Sequence, residues 1–208
     1  MNKEQTITGV IRGTGACVPE RILDNKEIAG FVDTSDEWIR ERTGVRRRRI
    51  AEKETTVSMA CEAGRQAVEE AGILPGEIDM ILVATGSPDQ IFPCTACRVQ
   101  EALGADGAVG FDLNAACSGF LFAYNTAQAY IASGIYRTVL VIGSESISRM
   151  VDWTDRGTCI LFGDGAGAVL LQAAEGKTYR PIAHSDGSGG EALTGPGVRN
   201  RIRSIDKD

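Results

Sequence analysis

The stretch AVGFDLNAACSGF at residues 108–120 decides the fold, because a short apolar run passes there into a segment of small residues. Residues 108–113 are typical of a buried strand, and the segment from about Ser118 to Ser133 predicts a helix that Gly134 ends. A strand that leads directly into a helix is the building unit of an α/β sheet. One cysteine, Cys117, stands at the predicted junction.

The rest of the chain alternates in the same way. Apolar runs predict strands at 7–13, 78–85 and 138–144, and helical spacing predicts helices at 56–72 and from Pro93 to Gly104. Thr34 and Glu37 form an S/T-x-x-E capping box that predicts the start of another helix. In CILFGDGAGAVLLQA (159–173), Gly163-Asp164-Gly165 predicts a hairpin turn between two strands. The fold class is therefore α/β, with a mixed, mainly parallel sheet covered by helices.

Composition and charge exclude several classes of protein. The 208 residues are 43% hydrophobic and 24% charged, with a net charge of −6, which argues against a general binder of nucleic acid or of anionic membranes. The basic run Arg46–Arg49 is interpreted as a solvated surface, since Glu52 and Glu54 follow it. No stretch is long and apolar enough to span a bilayer, and the N-terminus lacks a signal-peptide core. We therefore expect a cytoplasmic protein.

The six cysteines are scattered, and in a reducing compartment we expect free thiols. Cys94-x-x-Cys97 is the one pair at metal-ligand spacing, but it lacks a second pair. Two small residues on a helix are therefore favoured over a zinc site, and no metal is predicted. Cys61 fits the core stripe of the helix at 56–72, and Cys159 is expected to begin a buried strand.

Cys117 allows two interpretations. A helix N-terminus supplies partial positive charge and free N–H donors that stabilise a thiolate, and small neighbours leave its sulfur accessible. The carboxyl ends of parallel strands are also where open α/β sheets place their ligands. Against this, most free cysteines are small buried hydrophobic residues. Local chemistry alone leaves the catalytic and the structural interpretation equally open.

DLNAACSGF resembles the active-site segment of the beta-ketoacyl-acyl-carrier-protein synthase III family. Further similar segments follow the family's order: GTGACVPERILDN, VDTSDEWIRERTGVRRRRIA, IFPCTACRVQEALGA, WTDRGTCILFGDGAGAVLL and HSDGSGGEAL, from about residue 7 to residue 195. The resemblance implies a thiolase-like fold, one half of a layered αβαβα architecture, usually found as a homodimer. It divides the chain into an N-terminal half (1–174) that carries the nucleophile and a polar, Gly-rich segment (175–208) that leads toward an absent second half.

The resemblance also implies an activity. Cys117 would take an acyl group from an acyl-CoA, commonly acetyl-CoA, and malonyl-acyl-carrier protein would then decarboxylate and attack the thioester. The coenzyme A thioester would be a substrate, and no cofactor would be bound permanently. Two alternatives stay open: a related polyketide- or quinolone-type condensing enzyme, and a catalytically incomplete half that acts as a structural or acyl-holding subunit.

Individual site residues follow from the same resemblance. Thr34, Trp38 and Arg42 match positions that line the coenzyme A entrance, and Arg156 matches a second coenzyme-contacting arginine. Trp38 is otherwise interpreted as a core residue of an amphipathic helix. Phe92 matches a residue that reaches across the dimer into the partner's acyl pocket, although a Phe before Pro93 also fits a local apolar contact.

The family's catalytic histidine and asparagine come from the second half. His184, the single histidine of the chain, matches a loop segment and not the catalytic motif. We therefore expect these 208 residues to lack part of the catalytic machinery and to expose a large apolar surface.

Overall fold

The computed structural model describes residues 6–195, which form a five-stranded sheet, a two-stranded ribbon and five α-helices. The strands are β1 (Ile7–Cys17), β2 (Arg21–Asp24), β3 (Arg47–Ile50), β4 (Met80–Ala84), β5 (Val109–Leu113), β6 (Thr138–Ser146) and β7 (Asp164–Glu175). The helices are α1 (Asn25–Ile28), α2 (Asp36–Thr43), α3 (Thr56–Ala71), α4 (Thr95–Leu103) and α5 (Gly119–Ala132).

The large sheet has the strand order β1-β7-β6-β4-β5. β4 pairs in parallel with both β5 and β6, whereas β7 pairs antiparallel with β6 and with β1. Four strands therefore run in one direction and only β7 opposes them. This arrangement confirms the predicted mixed, mainly parallel sheet, and it brings the carboxyl ends of β4, β5 and β6 to one edge of the sheet.

Helices cover both faces of this sheet. Along β4 the side chains alternate: Ile81 and Val83 join a core with α3 and α4, and Met80 and Leu82 join a second core with α5. Every residue of β4 is buried, which explains why the strand is a continuous apolar run. Each fully buried side chain of this size contributes about 1.5–3 kcal/mol.

A third core lies outside the sheet. Leu23 of β2, Ile28 of α1 and Ile39 of α2 pack with Cys159 and Ile160 of the turn that precedes β7. Trp38 and Trp153 are half-buried against it. The β2–β3 ribbon and the short helices α1 and α2 are thereby attached to that turn.

The hairpin predicted at 159–173 is wrong. Residues 156–161 form turns, and β7 begins only at Asp164 and pairs with β1 and β6. The buried Asp164 side chain accepts hydrogen bonds from Ser148 Oγ at 2.6 Å and from the Ala51 N–H at 2.7 Å. Cys159 is buried as expected, but it lies in the turn and does not begin a strand.

Two predicted helix starts also need correction. Ser35, not Thr34, is the N-cap of α2, and its Oγ accepts a hydrogen bond from the Trp38 N–H at 3.1 Å. Pro93 lies before the first turn of α4, whose N-cap is Cys94. The helices at 56–72 and 118–133 are confirmed to within about one residue, since α3 is followed by Gly72, its left-handed C-cap, and α5 begins at Gly119.

The surface carries several exposed apolar side chains. They include Ile91, Phe92, Leu121, Leu161, Ile182 and Leu193. After β7, residues 176–195 are exposed and contain a single 3₁₀ turn, at Gly187–Ala192. No helix within residues 6–195 is long and apolar enough to cross a bilayer.

Candidate active site

Cys117 lies on the loop that joins β5 to α5. It is exposed and occupies the middle of a 3₁₀ turn, Ala116–Ser118, which runs directly into α5. The residue before it, Ala116, has a φ of 47°, in the left-handed region that alanine rarely adopts. The sharp turn therefore presents the thiol at the carboxyl edge of the parallel strands, as the sequence predicted for this residue.

Two contacts hold this turn in place. Asn114 Oδ1 accepts a hydrogen bond from the Ala116 N–H at 3.1 Å, and the Ser118 N–H donates to the Ala115 carbonyl at 3.1 Å. A side chain on the buried Gly119 would lie 3.2 Å from Ala84 Cβ, so the start of α5 packs directly on the end of β4.

A polar cluster that sequence reasoning missed lies at the same edge. Glu145, near the end of β6, accepts hydrogen bonds from the Gly86 N–H at 2.8 Å and from Ser87 Oγ. A Cβ on Gly86 would be 3.7 Å from Glu145 Oε1 and 3.9 Å from Asn114 Oδ1, so both side chains adjoin this glycine. The carboxylate thus fixes the loop after β4 beside the Cys117 turn. An acidic residue at a strand end was the signal available in the sequence.

A second group of predicted residues lies at α2. The guanidinium carbons of Arg42 and Arg156 lie 4.2 Å and 4.0 Å from the centroid of the Trp38 ring. Cation–π attraction holds each of them there. Neither arginine forms an ion pair within residues 6–195. Two unpaired guanidinium groups around one indole suit a ligand with an aromatic ring and anionic groups.

Thr34 lies immediately before the cap of α2. Its Oγ1 is buried and has no hydrogen-bond partner in the part of the chain that the structure describes. Because an unsatisfied buried hydroxyl costs free energy, this atom is suited to a ligand that would complete its hydrogen bonding.

The basic run Arg46–Arg49 is not uniformly solvated, contrary to expectation. Arg48 is only 4% exposed, its Nε donates to the Ile160 carbonyl at 2.9 Å, and its Nη1 donates to Asn25 Oδ1. Burial lowers the pKa of this guanidinium. Asn25 Nδ2 in turn donates to Asp36 at 2.8 Å. This hydrogen bond, and Arg40 after it, hold the pKa of Asp36 below its ordinary value.

Trp38, Arg42 and Arg156 together form what we call the Trp38 cluster. The buried network of Arg48, Asn25 and Asp36 connects the elements around it. Asp36 belongs to α2, which carries Trp38, while Ile160 belongs to the turn that follows Arg156. Arg48 therefore links α2, which carries Trp38, to the turn that follows Arg156. The sequence does not indicate which of four consecutive arginines is buried. Only the alternation of side chains along β3 separates the buried Arg48 from its exposed neighbour Arg47.

Phe92 stands apart from both groups, 82% exposed on the loop before α4. Within the described residues, no hydrogen bond or aromatic contact joins Cys117, Phe92 and the Trp38 cluster to one another. Two surface cavities lie elsewhere: one of about 780 Å³ beside Thr14 and Glu70, and one of about 610 Å³ beside Phe31 and Trp153. The structure thus brings Trp38, Arg42 and Arg156 together and leaves Cys117 and Phe92 as separate exposed positions.

Comparison with known proteins identifies the family that this chain resembles. Residues 111–188 match the model of the 3-oxoacyl-[acyl-carrier-protein] synthase III family. A beta-ketoacyl-[acyl-carrier-protein] synthase III of Erythrobacter litoralis is 52% identical over 188 residues, which cover 88% of this chain and 59% of that protein. The chain therefore spans less than two thirds of the length of this curated relative.

Solved structures agree with the sequence match. The 3-oxoacyl-[acyl-carrier-protein] synthase III of Aquifex aeolicus has a TM-score of 0.80 and 50% identity, covering 81% of this chain and 55% of its own. The priming beta-ketosynthase of the R1128 polyketide biosynthetic pathway has a TM-score of 0.79 and 40% identity, covering 84% of this chain and 52% of its own.

A mixed, mainly parallel sheet covered by helices, matched by these solved structures, defines a protein of the thiolase-like fold class. Within that class, the chain belongs to the beta-ketoacyl-acyl-carrier-protein synthase III family and matches its N-terminal part.

Proposed function

We propose that this chain carries the acyl-accepting half of an acyltransferase that initiates fatty-acid synthesis by decarboxylative Claisen condensation. The observation that carries the proposal is the exposed Cys117 thiol on its strained turn. The chain that carries it is 52% identical, over 188 residues, to a beta-ketoacyl-[acyl-carrier-protein] synthase III. In this proposal, residues 1–174 are the half that carries the nucleophile.

The first step is acyl transfer. The Cys117 thiolate attacks the carbonyl carbon of an acyl-CoA, probed most simply with acetyl-CoA, and forms a tetrahedral oxyanion. Its collapse breaks the bond to the coenzyme A sulfur and leaves an acyl–Cys117 thioester and coenzyme A thiolate. Covalent catalysis of this kind divides one difficult condensation into two easier steps.

The second step is carbon–carbon bond formation. Malonyl-acyl-carrier protein loses CO₂, and the resulting enolate attacks the acyl–Cys117 carbonyl. The Cys117–carbon bond breaks, the thiolate is regenerated, and a beta-ketoacyl thioester leaves on the carrier protein. Stabilisation of the enolate is assigned to the family's histidine and asparagine, which no segment matched in this chain supplies.

The Trp38 cluster is the proposed binding site for the coenzyme A nucleotide. The indole offers a flat face to the adenine, while Arg42 and Arg156 offer donors to phosphate oxygens, and Thr34 Oγ1 is free to bond a polar group. The guanidinium carbon of Arg156 lies 4.0 Å from the centroid of the indole ring, so an adenine that stacks on the same face would displace it.

Intact-protein and peptide mass spectrometry after incubation with acetyl-CoA test the nucleophile. We expect acetylation of the peptide that contains Cys117, and none in Cys117→Ser. Cys97→Ser is the matched control, because Cys97 is the other exposed cysteine within the described residues, and this variant should label as well as the unaltered protein. Equal labelling of Cys117→Ser would refute the assignment.

The remaining assignments belong to the same proposal. The protein acts in the cytoplasm as a homodimer, and Phe92 reaches into the acyl pocket of the partner subunit. The 82% exposure of Phe92 supports a role outside its own core. Sedimentation of the unaltered protein and of the Phe92→Ala variant tests the dimer. If both proteins sediment as monomers, the proposed dimer is contradicted.

A specialised condensing enzyme is the second candidate function. The 40% identity to the priming ketosynthase of a polyketide pathway favours it. Product analysis with acyl-CoAs of increasing length separates the two, because strict preference for acetyl-CoA supports fatty-acid initiation. Acylation without decarboxylation of malonyl thioesters would instead indicate an acyl-holding subunit.

A further inference from the structure

Glu145 occupies a part of β6 that extends beyond its neighbour β4. The last residue of β4 that pairs with β6 is Ala84, opposite Gly143, so Glu145 lies beside the loop that follows β4. Its carboxylate accepts hydrogen bonds from the Gly86 N–H at 2.8 Å and from Ser87 Oγ. Because Ser87 is buried, these contacts fix the beginning of the loop.

The Glu145 carboxylate is half-buried and has no cationic partner. It forms no ion pair within residues 6–195, and Arg149, four residues later, pairs with Asp89 instead. Partial removal of a charge from water without a cation costs free energy. In return, hydrogen bonds to a charged acceptor are stronger than those to a neutral one, so the carboxylate holds the loop more firmly than an amide would.

A path of hydrogen bonds and peptide bonds leads from this loop to the nucleophile. The Thr85 N–H donates to the Leu113 carbonyl at 3.1 Å, which attaches the end of β4 to the end of β5. Asn114 follows directly, and its Oδ1 accepts a hydrogen bond from the Ala116 N–H at 3.1 Å. Ala116 is the residue before Cys117. A displacement of the loop after β4 would therefore be transmitted to the Cys117 turn.

The Cys117 turn needs support of this kind from outside. Ala116 has a φ of 47°, and such a conformation persists only where the surrounding structure enforces it. Gly86, whose N–H is bound by Glu145, also adjoins Asn114, since a Cβ on Gly86 would lie 3.9 Å from Asn114 Oδ1. The residue that Glu145 holds thus packs beside the side chain that holds the turn.

We propose that Glu145 is a positioning residue for the nucleophile. By holding Gly86 and Ser87, it keeps the Cys117 turn in the geometry that attack on a thioester carbonyl requires. The inference rests on the proposed acyl transfer to Cys117 and adds a residue that acts on it through the loop after β4. Misplacement of a reacting atom by about 1 Å can lower a rate by about 100-fold.

The kinetics of Cys117 acetylation, followed by peptide mass spectrometry over a series of acetyl-CoA concentrations, test this role. Glu145→Ala should lower the maximal rate at least about tenfold and leave the half-saturating concentration unchanged, because the Trp38 cluster is intact. Glu145→Gln retains one acceptor oxygen and should recover part of the rate. Alkylation of Cys117 by iodoacetamide should be unchanged in both variants, since the thiol stays exposed and this reagent does not require an oriented thioester.

Glu70→Ala is the matched control. The Glu70 carboxylate also accepts hydrogen bonds from one backbone N–H and one hydroxyl, both of Thr14, but Thr14 belongs to β1 at the opposite edge of the sheet. This variant should be acetylated at the rate of the unaltered protein.

Two results would overturn the role of Glu145. One is acetylation of Glu145→Ala at the unaltered rate. The other is alkylation of the buried Cys159 in this variant, because that would indicate a general loss of structure in place of a local displacement. If Cys117 of the unaltered protein is not acetylated at all, the proposed function itself fails, and the inference falls with it.

Discussion

Arg48→Ala should destabilise the region around the Trp38 cluster. The side chain is 4% exposed, and its removal leaves Asn25 Oδ1 and the Ile160 carbonyl without their donor. Each buried acceptor left unsatisfied costs about 1–3 kcal/mol, so the two together cost about 2–6 kcal/mol. Removal also relieves the burial of a charge that has no carboxylate partner within the described residues. We therefore expect a net loss of about 2–3 kcal/mol.

Urea unfolding followed by tryptophan fluorescence is the suitable assay. Both tryptophans of the chain, Trp38 and Trp153, pack against the third core, so their emission reports on the region that Arg48 supports. Arg47→Ala is the matched control, because Arg47 is the exposed neighbour on the same strand, and it should change stability by less than about 0.5 kcal/mol. Equal unfolding midpoints for the two variants would refute the reasoning.

Three further changes follow from the structure. Gly15→Ala should lower the melting temperature strongly, because its Cβ would lie 2.0 Å from the Ala63 carbonyl oxygen and overpacking of this kind costs about 1–3 kcal/mol; an unchanged melting curve would contradict it. Burial acts to raise the pKa of Asp89, but hydrogen bonds, led by the one from the Val57 N–H, hold it below the ordinary 3.8. Stability from Asp89 is therefore present above that value and lost as pH falls through the depressed pKa, so urea midpoints should fall less on acidification in Asp89→Asn. Thr34→Val should leave the unliganded protein as stable or more stable, yet weaken binding of coenzyme A measured by calorimetry; unchanged affinity would remove Thr34 from the proposed site.

Elements whose signals are local could be predicted from the sequence. α3 follows from apolar residues at helical spacing and from Gly72, which ends the helix with a φ of 68°. β4 follows from an apolar run of strand length, buried on both faces. In each case the residues that form the element also decide where it ends.

Elements that depend on distant partners could not be predicted in this way. The Asp-Gly signal at 163–165 is a good turn by composition, but Asp164 instead receives hydrogen bonds from Ser148 and Ala51, and the strand after it pairs with β1. Thr34 and Ser35 are equally good caps by residue type. The choice of Ser35 became visible only once the Thr34 hydroxyl was seen to be buried.

The turn at Cys117 shows how local strain and distant packing act together. Ala116 adopts a left-handed conformation that costs an L-residue about 1–2 kcal/mol, and no local preference of alanine favours it. Asn114 compensates by accepting the Ala116 N–H, and Gly119 allows α5 to start against Ala84. Because the end of β4 and the start of α5 are both fixed, the short connection between β5 and α5 must turn sharply, and the sharp turn is what leaves the Cys117 sulfur exposed. Accessibility of this thiol is therefore a consequence of sheet packing, and substitutions at Gly119 or Asn114 should change the position of the Cys117 sulfur without altering the cysteine itself.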